Sequence, residues 1–164
     1  LLLTCVLKLA AVSQFEKALE AQNINYHELI VKPTAFNTIL WNANIATAEG
    51  YFLGDYSFFD TQPISFKFYT KNKVLEERIE HTADFQKLKQ ISEGWYLITE
   101  ENDNLYFNDL RFGLLTTDSE QLQFAFSYQF VADAKGALKA VEVPKAKRDG
   151  KVLLRYIFNR VKGN

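Results

Sequence analysis

The clearest pattern along the chain is a strict alternation of apolar and polar residues at 121–130, where the sequence is QLQFAFSYQF. Successive side chains of a β-strand point to opposite faces, so a period of two predicts a strand. Because one of the two faces is almost entirely aromatic, we expect it to lie in the core beneath at least one helix. That face consists of Leu122, Phe124, Phe126, Tyr128 and Phe130.

Shorter alternating runs predict further strands, joined by tight turns. Three of them follow one another closely, which is typical of an antiparallel meander. Between two of these runs, Thr47–Gly50 predicts a turn in which Gly50 takes a positive φ. A later pair, joined by a turn at Glu101–Asn104, predicts a hairpin. The predicted strands are 26–31, 39–45, 51–59, 64–68, 95–100 and 105–107.

Helical spacing replaces alternation in three other segments. Residues 3–22 form one predicted helix, and residues 152–161 form the last one. Between them, 73–92 predicts either one bent helix or two short helices, because Thr82 is suited to an N-cap position within it. The segment 132–150 has no clear period, and we interpret it as irregular.

This order of elements predicts an α+β fold, in which an antiparallel sheet of about six to eight strands carries helices at the N-terminus, in the middle and at the C-terminus. The 164 residues fit one domain. Within it we distinguish a helix over 1–22, a sheet-rich body over 23–131 and a basic tail with a terminal helix over 132–164.

Composition narrows the possible classes of protein. Apolar residues make up 48% of the chain and aromatic residues 15%, which indicates a globular protein with large side chains in its core. The net charge of −1 gives no electrostatic basis for binding nucleic acid. A single cysteine, Cys5, excludes an internal disulfide. The chain contains no methionine, so we expect it to be a segment of a longer polypeptide.

Residues with the usual spacing of an active site are missing from the sequence. The two histidines, His27 and His81, lie far apart and outside any HxH or HExxH arrangement. Ser57 is not part of a GxSxG motif, and no glycine-rich phosphate loop is present. We therefore expect this segment to hold no catalytic metal or cofactor and to hydrolyse nothing by itself.

Polar residues within strand-like sequence are the remaining candidates for a site. Asp55 and Ser57 share one face of their strand, and so do Asp109 and Arg111. An aspartate and an arginine at this spacing either bind a polar ligand or hold each other in a structural pair. If Leu110 and Phe112 are buried, the charged pair faces the other way, and we expect it to hydrogen-bond the loops around 33–37 and 55–60.

Two motifs carry a resemblance to a known family. The first extends over Lys32–Asp60 and the second is NDLRFG at Asn108–Gly113. Together they resemble the soluble C-terminal part of bacterial inner-membrane-bound, predicted metal-dependent hydrolases, the YdjM-like family, over about Gln14 to Phe130. Ala35 stands where that family has a second proline. The matching residues of the first motif are Pro33, Asn37, Trp41, Gly54, Ser57 and Asp60.

The resemblance implies that the metal-binding histidines and aspartates lie in a membrane-spanning N-terminal half. This segment is then expected to be soluble, on an unassigned side of the inner membrane, with that half of the same polypeptide as its partner. Its role would be that of an accessory domain that positions substrate or regulates access to the metal site. The alternative is a non-catalytic α+β module that binds a ligand or partner. The candidate residues are Asn37, Trp41, Ser57, Asp60, Asp109 and Arg111.

Two further segments have alternative interpretations. The first helix begins LLLTCVLKLAAV, which is too short to cross a bilayer. It is an amphipathic helix that covers the sheet, the continuation of an upstream transmembrane segment, or both. The basic tail is either a solvated surface or a contact for anionic lipid head groups. Its cations are Lys139, Lys145, Lys147, Arg148, Lys151, Arg155 and Arg160.

Overall fold

The computed structural model describes residues 2–34, 37–114, 124–144 and 150–163. These residues form four helices and eight strands. The helices are α1 (Leu2–Ala21), α2 (Lys73–Glu77), α3 (Ala83–Ile91) and α4 (Gly150–Val161). The strands are β1 (Glu28–Pro33), β2 (Leu40–Ala46), β3 (Gly50–Ser57), β4 (Phe66–Thr70), β5 (Tyr96–Glu101), β6 (Asn104–Leu114), β7 (Phe124–Ala132) and β8 (Leu138–Glu142).

The described strands form two antiparallel sheets of four strands each, in the orders β1-β2-β3-β4 and β5-β6-β7-β8. The prediction of an α+β fold is confirmed, but the prediction of one sheet with six to eight strands is wrong. Short turns make consecutive strands neighbours within each sheet. The helical segment between β4 and β5 interrupts this succession, and a strand's period does not reveal its partner across such an interruption.

The chain divides into two compact units. Unit 1 comprises Leu1–Thr70 and Arg148–Asn164, and unit 2 comprises Lys71–Lys147. The terminal helix α4 therefore belongs with the first sheet, although it follows the second sheet in the sequence. A single domain over 1–164 stays a prediction.

The core of unit 1 lies between α1 and the first sheet. Ala11, Phe15 and Leu19 are fully buried and recur every fourth residue, so they form one stripe along the helix. The stripe packs against β-strand residues that include Trp41 and Ile45. The predicted helix over 3–22 is thus confirmed, and its second half covers the sheet.

Gly50 is needed for a reason other than the predicted one. It is not among the glycines with a positive φ. A Cβ atom at this position would lie 2.2 Å from the carbonyl oxygen of Tyr69, because β4 passes close to the start of β3. The absence of a side chain, rather than backbone freedom, therefore explains the glycine.

The core of unit 2 lies between the second sheet and two short helices. Thr82 caps α3 by accepting a hydrogen bond from the amide of Phe85, so the interpretation as two helices is confirmed. Phe85 packs edge-on against Tyr96 and Phe107. The predicted turn between β5 and β6 is also found, with positive φ at Asn102 and Asp103, as a tight hairpin turn requires.

The aromatic face of β7 is buried only in part. Phe124 and Phe130 lie in the core, whereas Phe126 and Tyr128 are half-buried. Leu122 lies outside the described residues. The pairing of β6 with β7 shifts in register between Asp109 and Leu114, and Phe126 packs there on Phe112, which is exposed. The prediction of a uniformly buried face is therefore wrong at Phe126 and Tyr128.

Strand β8 lies in a segment that was expected to be irregular. The hairpin that joins it to β7 is closed by Asp133, whose carboxylate accepts hydrogen bonds from the amides of Lys135 and Ala137. These hydrogen bonds, the one from Ala137 most of all, lower the pKa of Asp133. Gly136 adopts a positive φ in the same turn. An aspartate followed by a glycine three residues later was the available signal for this hairpin.

Candidate functional site

The densest polar cluster of unit 1 joins the end of β3 to α4, and we call it the Arg160 cluster. It consists of Asp55, Ser57, Asp60 and Arg160. The guanidinium of Arg160 donates to both carboxylate oxygens of Asp60, with 2.7 Å between Nη2 and Oδ2, and its Nε donates to Asp55 Oδ2 at 2.9 Å. These contacts, led by the hydrogen bonds to Asp60, raise the pKa of Arg160. The charges of the cluster are thus directed at one another.

Ser57 fastens the end of α4 to the strand. Its hydroxyl donates to the carbonyl oxygen of Val161 at 2.7 Å, and its amide donates to Asp60 Oδ2 at 2.9 Å. The carbonyl of Val161 is one of those left without a partner at the end of a helix, so this hydrogen bond caps α4. Ser57 is completely buried. A serine whose proton is already donated to a backbone carbonyl is not an activated nucleophile.

Gly163 makes this close approach possible. Its φ is +94°, a backbone conformation that residues with a side chain rarely adopt. A Cβ atom at this position would lie 2.2 Å from the carbonyl oxygen of Phe59. The glycine lies just beyond the end of α4, after Lys162, at a position where a left-handed residue is common. The Arg160 cluster and Gly163 together indicate a structural junction between α4 and β3.

Asn37 and Trp41 organise the entry into β2. The side-chain oxygen of Asn37 accepts hydrogen bonds from the amides of Ile39 and Leu40, at 3.0 and 2.7 Å. Trp41 is buried in the core of unit 1, and its indole donates to the carbonyl oxygen of Thr38 at 3.0 Å. Both residues therefore contribute to the fold, and their neighbour Ala35 lies outside the described residues.

Asp109 and Arg111 form the second charged pair, in unit 2. Arg111 Nη2 donates to Asp109 Oδ2 at 2.8 Å, and the backbone amide of Arg111 donates to Asp109 Oδ1 at 2.9 Å. The hydrogen bonds to Asp109 are the main cause of a raised pKa for Arg111. Glu93 adds a longer ion pair at 3.5 Å. The contacts that were predicted between this pair and the segments 33–37 and 55–60 stay a prediction.

The apolar residues of the same motif behave differently from each other. Leu110 is fully buried, as predicted, but Phe112 is exposed. The register shift at this point of β6 removes the strict alternation that the prediction assumed. Asn108 is buried and joins three strands, since its side chain donates to Leu97 O and Thr99 Oγ1 and accepts from Ser127 Oγ.

We predict that Arg111→Ala lowers the free energy of unfolding by about 1–3 kcal/mol, because the nearly buried carboxylate of Asp109 loses its main partner. Urea unfolding followed by circular dichroism measures this change. Arg78→Ala is the matched control, since Arg78 pairs with Glu100 at an exposed site and should cost less than about 1 kcal/mol. Equal effects of the two variants would show that the Asp109–Arg111 pair is not structural.

The described residues contain neither a cluster of metal ligands nor a membrane-spanning helix. Across the described ranges, no group of three or more His, Cys, Asp or Glu side chains is arranged to hold a metal ion. His27 and His81 are both exposed. None of the helices within those ranges is long and apolar enough to cross a membrane.

The basic residues of the tail are distributed over both units. Lys139 lies in β8 of unit 2, whereas Arg155 and Arg160 lie in α4 of unit 1. Lys145, Lys147 and Arg148 lie outside the described residues, and Lys151 lies in the first turn of α4. Arg160 is committed to the Arg160 cluster and is therefore not part of a solvated basic surface.

The first half of α1 carries an exposed apolar surface, which the sequence pattern did not assign to particular residues. Leu3, Val6 and Leu9 are 70%, 55% and 70% exposed, and we call these three residues the outer surface of α1. The buried stripe at Ala11, Phe15 and Leu19 lies further along the helix. The available signal was the four-residue spacing of that stripe, which separates the residues that face the sheet from the others.

Comparison with known proteins gives no match. No family model matches the chain, and neither a curated protein nor a solved structure does so. The resemblance to the YdjM-like hydrolases therefore stays a prediction, and function has to be argued from the residues themselves.

Proposed function

We propose that this chain is an accessory domain of a membrane-bound, metal-dependent hydrolase of the YdjM-like type. In this proposal it positions substrate, or regulates access to a metal site, in the membrane-embedded half of the same polypeptide. The observation that carries the proposal is the outer surface of α1. The resemblance of the Lys32–Asp60 and NDLRFG motifs to the YdjM-like family is the reason for proposing a hydrolase as the parent protein.

The described side chains at the start of α1 are all exposed. Leu3, Thr4, Cys5 and Val6 are consecutive and all exposed, and residues of a helix follow one another at about 100°. A helix that lay flat on its own domain would have one covered side in this turn. Lys8 is the only charged residue before Glu16, so the exposed part is also strongly apolar.

Such a surface favours apolar surroundings. Complete burial of a leucine or valine side chain is worth about 1.5–3 kcal/mol, so three exposed ones represent a substantial driving force. The buried stripe at Ala11, Phe15 and Leu19 fixes the second half of the helix to unit 1. A helix that is held at one end and apolar at the other is suited to connect this unit to a membrane-embedded partner.

The polar clusters are consistent with a domain that stabilises its own fold while catalysis takes place in another part of the polypeptide. Arg160 binds two carboxylates, and Arg111 binds Asp109 and Glu93. Ser57 donates its proton to a backbone carbonyl. These groups are used to hold the fold together, which supports an accessory rather than a catalytic role for the segment.

We predict that replacing the outer surface of α1 with Leu3→Gln, Val6→Gln and Leu9→Gln abolishes binding to micelles of a neutral detergent. Sedimentation velocity of the chain with and without micelles measures this binding. The fold should persist, because the three side chains are exposed. The matched control replaces Glu16, Lys17 and Glu20 of the same helix with glutamine, since these residues are exposed but polar.

The parent chain and the control should bind the micelles, and the triple glutamine variant should remain free. The role proposed for α1 would be contradicted if the unsubstituted chain did not bind the micelles. It would also be contradicted if the triple glutamine variant bound them as well as the unsubstituted chain does. The hydrolase itself is tested by the reading frame upstream of Leu1. It should encode several apolar segments of about 20 residues with clustered histidines and aspartates.

A second candidate function is a non-catalytic module that binds a partner, and one feature of unit 2 favours it. The rings of Phe112 and Phe126 pack with their centroids 4.8 Å apart, and the guanidinium carbon of Arg111 lies 5.3 Å from the centroid of Phe112. Phe112 is exposed. Aromatic residues and arginine are enriched at protein interfaces. An upstream frame without apolar segments would favour this alternative.

A further inference from the structure

All charged residues of helix α4 are positively charged. Its sequence and the residues that follow it, GKVLLRYIFNRVKG at 150–163, contain no aspartate or glutamate. The basic residues of this segment are Lys151, Arg155, Arg160 and Lys162. The chain as a whole carries a net charge of −1, so the positive charge of α4 is a local feature.

The inward side of α4 is fixed by specific contacts. Arg160 binds Asp55 and Asp60, and the carbonyl oxygen of Val161 accepts from Ser57. Gly163 approaches Phe59 so closely that a side chain would not fit. These contacts determine which side of the helix faces unit 1 and leave the opposite side as its outer face.

The outer face combines large apolar side chains with cations. Leu154 and Phe158 are 47% and 68% exposed and lie one turn apart. Arg155 and Lys162 are exposed as well. With about 100° between successive residues, Leu154, Arg155 and Phe158 lie within a sector of about 100°, and Lys162 follows the end of α4 directly. We define the outer face of α4 as Leu154, Arg155, Phe158 and Lys162.

We infer that the outer face of α4 binds the surface of an anionic lipid bilayer. Leu154 and Phe158 enter the boundary between head groups and acyl chains, while Arg155 and Lys162 contact lipid phosphates. The interface of a bilayer offers apolar and anionic groups side by side at the depth of one helix, which matches this arrangement. Arg160 takes no part, because it is bound to Asp55 and Asp60.

This inference is independent of the hydrolase assignment, because it rests on α4 alone. It concerns binding that depends on lipid charge, whereas the outer surface of α1 is apolar and should respond to any apolar phase. The two surfaces are therefore separable by experiment. The chain with the three glutamine substitutions in α1 is the suitable starting protein, since α1 then contributes no binding.

The test is flotation of that protein with vesicles of phosphatidylcholine alone and of phosphatidylcholine mixed with phosphatidylglycerol. We expect binding to the anionic vesicles to be at least about tenfold stronger, and to weaken as salt screens the charges. Leu154→Ser with Phe158→Ser should reduce the binding about tenfold, and so should Arg155→Gln with Lys162→Gln.

The matched control is Lys17→Gln with Lys87→Gln, which removes the same charge from exposed positions outside α4. This control should bind as the starting protein does. Equal binding to neutral and anionic vesicles, unchanged binding of the α4 variants, or an equal loss in the control would overturn the inference. Binding to soluble polyglutamate but not to anionic vesicles would also overturn it, since it would assign the face to an acidic protein.

Discussion

Arg160→Ala is expected to lower the free energy of unfolding by about 3–5 kcal/mol. The side chain of Asp60 is only 2% exposed, and Arg160 is its bidentate partner. Removal of the guanidinium leaves a buried carboxylate with the amide of Ser57 as the remaining donor described above. It also removes one of the contacts that hold the C-terminal turn of α4. Urea unfolding followed by circular dichroism gives the change in free energy.

Two further variants show whether geometry or charge matters at this position. Arg155→Ala removes an exposed arginine from the same helix, and we expect it to change the free energy of unfolding by less than about 0.5 kcal/mol. Arg160→Lys keeps the charge but loses the planar fork, so its cost should be intermediate. An effect of Arg160→Ala below about 1 kcal/mol would show that the Arg160 cluster contributes no more than an exposed ion pair.

Phe15→Ala is expected to cost about 3–5 kcal/mol, the usual range for a buried phenylalanine. Phe15 is fully buried, and its ring meets Tyr56 edge-on at 6.1 Å and Phe66 at 6.3 Å between centroids. The substitution therefore leaves a cavity where α1 meets the strand β3 and its neighbour β4. The same urea titration measures the effect.

Leu9→Ala is the control for this variant, because Leu9 lies on the same helix but is exposed. It should change the free energy of unfolding by less than about 0.5 kcal/mol. Similar effects of Phe15→Ala and Leu9→Ala would contradict the assignment of the two sides of α1.

Local elements were predictable because their signals are local. The helix over 3–22 follows from unbroken helical spacing, and it ends at Ala21, shortly before Asn23 with its positive φ. The cap at Thr82 and the turn at Glu101–Asn104 depend on a few neighbouring residues. The α+β class follows in turn from the order of these elements.

The features that were missed depend on partners distant in the sequence. The space at Gly50 is limited by Tyr69 on another strand, and the incomplete burial of Phe126 occurs where the pairing of β6 shifts in register. Likewise, Asp60 was singled out as a candidate residue, but its partner Arg160 lies at the other end of the chain. Spacing along the chain carries no information about such contacts.

The side of α1 that packs against the sheet could not be predicted for a different reason. Its first half is apolar on nearly every side, so the hydrophobic period indicates no single face there. The buried stripe becomes distinct from Ala11 onward, where Phe15 and Leu19 stand among polar residues. The exposed apolar residues of this half are the observation on which the role proposed for α1 depends.

In the proposed function the first half of α1 lies in an apolar phase, and Cys5 allows a direct measurement of this. It is the only cysteine of the chain and is exposed in that half of the helix. A spin label on Cys5, in the presence of neutral lipid bilayers, should be more accessible to oxygen than to a water-soluble nickel complex. A label on Glu16→Cys, in a Cys5→Ser chain, should show the opposite preference. If the label at Cys5 also prefers the nickel complex, α1 does not enter an apolar phase, and the proposed role of α1 is contradicted.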